Sequence, residues 1–338
     1  MQSTTKNLSA LIQSFFAIAL PQRGMSQLTV LSYRDAMKLL LRYAADSTGH
    51  PVVKLDVNDI SADLVSNFLA YLETERGNQI ATRNNRLAAL RAFFSYIASE
   101  EPALAEHCRR VCSIPMKRGP ARTVPYLEQD EMDAVLNAPN RDARIGRSHY
   151  AILLFLYNAG ARAAELVGLQ IKDLRLDGPH RQVLLHGKGN KERICPLWRE
   201  TATVLRQHLA ERGVTPDADQ RVFVNRRGKP LTRHGVNYIV RTSAEKAAKS
   251  IATISSKRVS PHTIRHTTAV HLLNAGVDIN VVRVWLGHVD LRTTNIYAEI
   301  NLATKRRAIE MLAPQNGNSA RPPSWRSSPD ILAWLEGM

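Results

Sequence analysis

The chain has 338 residues, of which 46 are Lys or Arg and 30 are Asp or Glu, a formal charge of +16. That length suits two domains better than one core, and so large a cationic excess points to a polyanionic partner, most simply nucleic acid. Three cysteines (Cys108, Cys112, Cys195) are too few for a disulfide framework and fit a reducing, cytoplasmic compartment, and no stretch approaches the roughly 18 apolar residues of a membrane span.

Leu8 to Leu20 follows Lys6 and contains Ala17-Ile18-Ala19, which has the look of a secretory cleavage site. Leu8, Leu11, Ile12, Phe15, Phe16 and Ala19 nevertheless recur at helical spacing, so the segment reads as an amphipathic first helix. Leu28 to Ala44 carries apolar residues at i, i+3, i+4 and i+7. The next helix opens on a Ser61 cap signal and closes at Gly77. Ala81 to Glu100 sets an apolar stripe (Leu87, Leu90, Phe94, Ile97) beside a basic face of Arg83, Arg86 and Arg91, a candidate DNA contact.

Cys112 to Leu127 holds three prolines, a glycine and three basic residues, Lys117 and Arg118 among them. That is linker chemistry, extended and attracted to phosphate. Beyond it the chain is mixed. Helical patterns cover Glu128–Ala138 and Ser148–Asn158, and two short apolar runs within Arg181–Leu197 flank the polar tip GKGNKER, a β-hairpin signal. Further helices are expected near 198–211, 233–249, 261–274, 278–286 and 291–312. The C-terminus begins as a Pro/Asn/Gly/Ser/Arg tether and ends in an apolar patch of Ile331, Leu332, Trp334 and Leu335.

His262 and His266 stand four apart and suggest zinc, but the residue after His262 is Thr263 where a zinc protease needs Glu, Arg265 shares the turn, and no third ligand stands nearby. An anion site explains more. Ser260 is a good N-cap, Pro261 fits the first helical position, and His262 then lies among free N–H groups. Arg265, one turn on, can present two donors to a phosphate. The bland alternative is a capped helix with a satisfied core histidine. Gly160 reads as the C-cap of one helix and Ala161 as the start of the next, so Arg162 lies at a helix start with Glu165 to orient it or simply to pair with it. Lys188 is held between two glycines on the hairpin tip, near Lys191, where a lysine can swing onto a substrate or just be solvated. His288 follows Gly287 at a helix end, and Tyr297, about two turns into the next helix, is a core anchor or a nucleophile toward phosphorus.

The order Arg162, Lys188, His262-x-x-Arg265, His288, Tyr297 resembles the tyrosine recombinases, the phage-integrase family, in the pattern of its Xer and transposon-integrase members. GARAAEL is similar to the first-arginine box, GKGNKER to the lysine hairpin, and HTIRHTTAVHLL to the His-x-x-Arg-His box. LGHVDLRTTNIY resembles the closing box, with Tyr297 nine positions after His288. The family's commoner Leu before the arginine is Ala161 here.

The resemblance implies a mainly α fold with a small β-hairpin or sheet. It would comprise a helical, SAM-like core-binding domain over 1–112, a basic linker over 113–124, an α+β catalytic domain over 125–313 and a tail over 314–338. It implies a site-specific recombinase that cleaves duplex DNA through a 3′-phosphotyrosyl intermediate and then rejoins it. Arg162, Lys188, His262, Arg265, His288 and Tyr297 would be catalytic. Arg83, Arg86, Arg91, Lys117, Arg118 and Lys191 are the expected DNA contacts. No metal or other cofactor is implied. The implied partners are double-stranded DNA, further copies of the chain in a tetramer on two sites, and related recombinases or accessory proteins. Either Thr304–Leu312 or the apolar end near Trp334 would pack on a neighbour. Two other functions compete: a type IB topoisomerase-like enzyme, and a catalytically silent DNA-binding protein.

Overall fold

The structure, a computed structural model, describes residues 7–119, 125–187, 191–214 and 219–287. The chain divides into two compact units, Met1–Arg122 and Thr123–Met338.

The first unit is helical. Its opening helix starts at α1 (Leu8–Ser14), capped by the Asn7 side chain, passes through a π turn (Phe15–Ala19) and ends as α2 (Leu20–Gln22). Phe15 is fully buried, stacked on Tyr33 and edge-on to Phe93. The amphipathic reading therefore describes this segment, which contributes to the core of the unit. Then come α3 (Gln27–Thr48), α4 (Ala62–Thr74), α5 (Ile80–Glu100) and α6 (Ala105–Ser113). Ser61 caps α4 by accepting from the Leu64 amide.

The basic face expected on α5 is not an open one. Arg83 lies four residues before Leu87 and so falls on the apolar stripe itself, where it is 6% exposed. Its Nη1 donates to the Pro115 carbonyl at 3.0 Å. Arg91 donates to the Ile114 carbonyl, Arg86 to the Ser32 carbonyl at 2.9 Å, and Asn84 exchanges hydrogen bonds with the Lys117 backbone. Helix α6 runs one residue past Cys112, and residues 114–117 are bound along α5. The start of the segment read as linker is thus fastened to the first unit. Lys117 pairs with Glu73, and Arg118 is exposed.

In the second unit, α7 (Gln129–Asn137) and α8 (Arg144–Ala159) precede a short α9 (Ala163–Gly168). A three-stranded antiparallel sheet follows, in the order β1 (Leu174–Arg175), β2 (Gln182–His186), β3 (Glu192–Pro196). The hairpin was visible in the sequence; the two-residue β1 was not. Helices α10 (Arg199–Arg212), α11 (Arg233–Ala247), α12 (Pro261–Asn274) and α13 (Ile279–Leu286) complete the described part.

Helix α8 is the central post, with Tyr150 to Ala159 all buried. A helix ends with carbonyls that have no partner within it, and here water cannot supply one. Side chains from elsewhere do. The Thr268 hydroxyl donates to the Tyr157 carbonyl at 2.7 Å, the Trp285 indole to Asn158 at 3.2 Å, and Arg265 to Gly160 at 2.6 Å. The Asn158 side chain, itself fully buried, bonds the Pro196 carbonyl and the Trp198 amide, fixing the end of β3. Gly160 turns the chain with φ 55°, and a Cβ there would stand 2.5 Å from Leu286 Cδ2. Both the turn and the approach of α13 require glycine.

Candidate active site

The end of α8, the start of α9, β3, the start of α12 and the end of α13 meet in one place. Arg162 is the N-cap of α9, which begins at Ala163, two residues later than the sequence suggested. Its amide donates to Glu165 Oε2 at 2.8 Å and its Nη1 to Oε1 at 2.7 Å, so the simple ion pair is present. The Arg162 side chain still remains about one-third exposed (34%).

Glu165 is 2% exposed and also accepts from Arg193, Nη1 to Oε1 and Nη2 to Oε2, both at 2.8 Å. One buried carboxylate therefore accepts four hydrogen bonds from two arginines. Burial alone would raise its pKa. The bonds from Arg193 and Arg162 outweigh that and hold it down at about 2. Arg193 continues inward, with Nε donating to the Trp285 carbonyl at 2.9 Å.

Ser260 caps α12, its hydroxyl accepting from the Thr263 amide, with Pro261 in the first turn. His262 is exposed on that turn. Its pKa is lowered by partial desolvation, then by the nearby charges of Arg265 and Arg162, so the imidazole is neutral at neutral pH. The two arginines therefore act on the same histidine although they lie on different helices. Arg265 is 3% exposed. The guanidinium expected to present two donors to a phosphate has Nη1 donating to the Gly160 carbonyl and Nη2 to the Leu286 carbonyl. Arg265 thus joins the ends of α8 and α13, where helix dipoles favour a cation. His266, behind it, is pushed down to about 4 by burial and by His262 and Arg265. Among the described residues no cluster of three or more His, Cys, Asp or Glu is placed to hold a metal.

Lys188, His288 and Tyr297 lie outside the described residues. Their approaches are described. The Gly187 amide donates to the Lys191 carbonyl at 2.7 Å across the base of the hairpin tip, with Lys191 exposed. Gly287 caps α13 with φ 65°, directly before position 288. The sequence reading passed over Arg193. The signal was there: on a strand, residues two apart share a face, so the buried Cys195 places Arg193 inward too.

Residues 125–303 match the phage integrase family, and residues 3–101 match the phage integrase N-terminal SAM-like domain. The chain is 39% identical over 335 residues to the Sinorhizobium fredii protein y4rC, named for an integrase/recombinase, covering 98% of each chain. It is 31% identical over 321 residues to tyrosine recombinase XerD of Haemophilus influenzae, covering 92% of this chain and 99% of the relative. Its fold is shared with the XerH site-specific recombinase bound to a palindromic difH substrate (TM-score 0.67, 22% identity, 86% of this chain and 81% of that one). It is shared equally with the Tn1549 transposon integrase in complex with transposon right end DNA (TM-score 0.67, 21% identity, 91% of this chain and 100% of that one).

Proposed function

Since the chain belongs to the phage integrase family, the tyrosine recombinases that cleave and rejoin DNA, we propose that its strand exchange is carried out by Arg162, Lys188, His262, Arg265, His288 and Tyr297. The observation that carries the reading is the pair of arginines on separate helices bearing on one exposed, neutral His262 at a capped helix start. That is a site for a phosphate with a base beside it.

In this reading the Tyr297 hydroxyl attacks the scissile phosphate, and its proton passes to His262. A 3′-phosphotyrosyl bond forms as the bond to the 5′-oxygen breaks, and Lys188 protonates that oxygen. Arg162, Arg265 and His288 offset the charge of the pentacoordinate transition state. The 5′-hydroxyl of the partner strand then attacks, releasing the tyrosine. Each step is a transesterification, so no nucleotide is consumed. In this reading two arginines and a lysine supply the positive charge at the phosphate.

Arg118 and Lys191, both exposed, and Lys117, Arg86 and Arg91 are proposed to follow the phosphate backbone. The buried Arg83 would hold the backbone at Pro115, just before Lys117 and Arg118. A tetramer on two sites and service to a mobile element complete the proposal. The S. fredii relative's name and the shared transposon-integrase fold favour this over a topoisomerase-like or silent role.

The test uses nicked duplexes tiled over the DNA that flanks the gene. The wild-type protein is expected to form an adduct that survives SDS, and Tyr297→Phe to abolish it. Adduct formation that persists in Tyr297→Phe overturns the assignment.

A further inference from the structure

Arg193 lies on β3, outside the six positions above, with its side chain 8% exposed. All three of its nitrogens are engaged inward, two on Glu165 and one on the Trp285 carbonyl. It does not face a phosphate. What it does is join pieces of chain that have separate tasks. β3 closes the hairpin that bears Lys188. Helix α9 begins at Arg162. Helix α13 ends two residues before position 288. Both glycines next to undescribed site residues lie against this group. A Cβ on Gly187 would stand 3.5 Å from Glu165 Oε1, and one on Gly287 3.0 Å from Arg193 Cδ.

We propose that Arg193 is a positioning residue for DNA cleavage: through Glu165 it orients Arg162, and through the Trp285 carbonyl it fixes the start of the segment carrying His288. The inference rests on the reading of the site given above. A role in charge balance alone does not account for the geometry. Arg162 already pairs with Glu165, and the bond to the Trp285 carbonyl does nothing for that carboxylate's charge. Charge balance would be met by lysine. A flat fork with a bidentate edge and a third donor at Nε would not, because lysine offers one compact ammonium.

The groups facing Glu165 are Arg162 on its own helix and, from β3, Arg193 and the neutral Cys195 thiol, itself pushed up to about 12 by burial. Without the bidentate bond, burial raises the Glu165 carboxyl toward the working pH. The orientation of Arg162 then becomes sensitive to acid.

The experiment measures single-turnover adduct formation from pH 5 to 9 on the nicked duplex that the wild type cleaves. Duplex binding by gel shift and thermal melting run beside it. Arg193→Lys is expected to bind within two-fold of wild type and to cleave at least ten-fold more slowly, with a steeper fall in rate toward acid. A rate within two-fold of wild type across the pH range overturns the proposal. Should Arg193→Lys fail to fold, the double variant E165Q/R193Q replaces the ion pair by two neutral, hydrogen-bonding amides. It is expected to cleave slowly without the added acid dependence, and wild-type rates from it also overturn the proposal. Arg162→Ala serves as the control for the site itself. If it still forms adducts at the wild-type rate, the reading of the site fails, whatever Arg193→Lys does.

Discussion

Glu165 carries one negative charge among two arginines with almost no water, so its protonation is tied to folding. Its folded-state pKa, about 2, lies below the ordinary value of 4.5. A depressed carboxylate stabilises the fold at all pH values above its unfolded pKa and loses that contribution as pH falls toward the folded one. The window here is about pH 4.5 down to 2. Glu165→Gln should cost roughly 2–4 kcal/mol at pH 7, because it leaves Arg193 buried without its counter-charge. The gap from wild type should narrow through that window. Urea unfolding at a series of pH values checks it, and a gap that is flat from pH 7 to 2 contradicts it. The histidines slope in the same direction for a different reason. His266, pushed down to about 4, binds a proton in the unfolded chain before it does in the fold, so stability falls as pH drops from about 6.5 to 4.

At the scale of elements, α13 approaches the end of α8 closely at Gly160. Gly160→Ala must bear a positive φ and displace Leu286, whose Cδ2 would stand 2.5 Å from the new Cβ. About 2–4 kcal/mol of destabilisation is expected. Adding Leu286→Ala should recover part of it, so the two changes should be non-additive in thermal melts; simple addition would mean the helices do not meet there. The same elements show what a sequence can disclose. Helices α3, α4, α8 and α12 were legible because apolar residues repeat at helical spacing and Ser61, Gly160, Ser260 and Pro261 mark their ends. His262 and Arg162 could be found because each stands at such an end. What was not legible depends on partners far along the chain. Arg193 meets Glu165 28 residues away and Trp285 92 residues away, and no periodicity records that. Arg83 was legible in principle, four residues before Leu87, but a basic residue invites a surface reading. Two-residue β1 has no pattern to detect.

For the whole molecule, the excess of sixteen cations should appear in how binding responds to salt. Neutralising several phosphates releases their counterions, so the logarithm of the duplex association constant should fall with log salt at a slope of about −5 or steeper. Fluorescence anisotropy between 50 and 300 mM salt measures it, and a slope shallower than about −2 would show that the charge is not used on phosphate. The two units can differ in what they tolerate. In the second, Arg193 and Arg265 grip α13 by the carbonyls of Trp285 and Leu286, which are main-chain atoms. Such a grip does not depend on which side chains follow. The C-terminal portion could then be exchanged with that of a relative as a cassette, provided the seam falls after Gly287, where the hold is complete. A seam one turn earlier would also replace the side chains of Trp285, which bonds the Asn158 carbonyl, and of Leu286, which lies against Gly160.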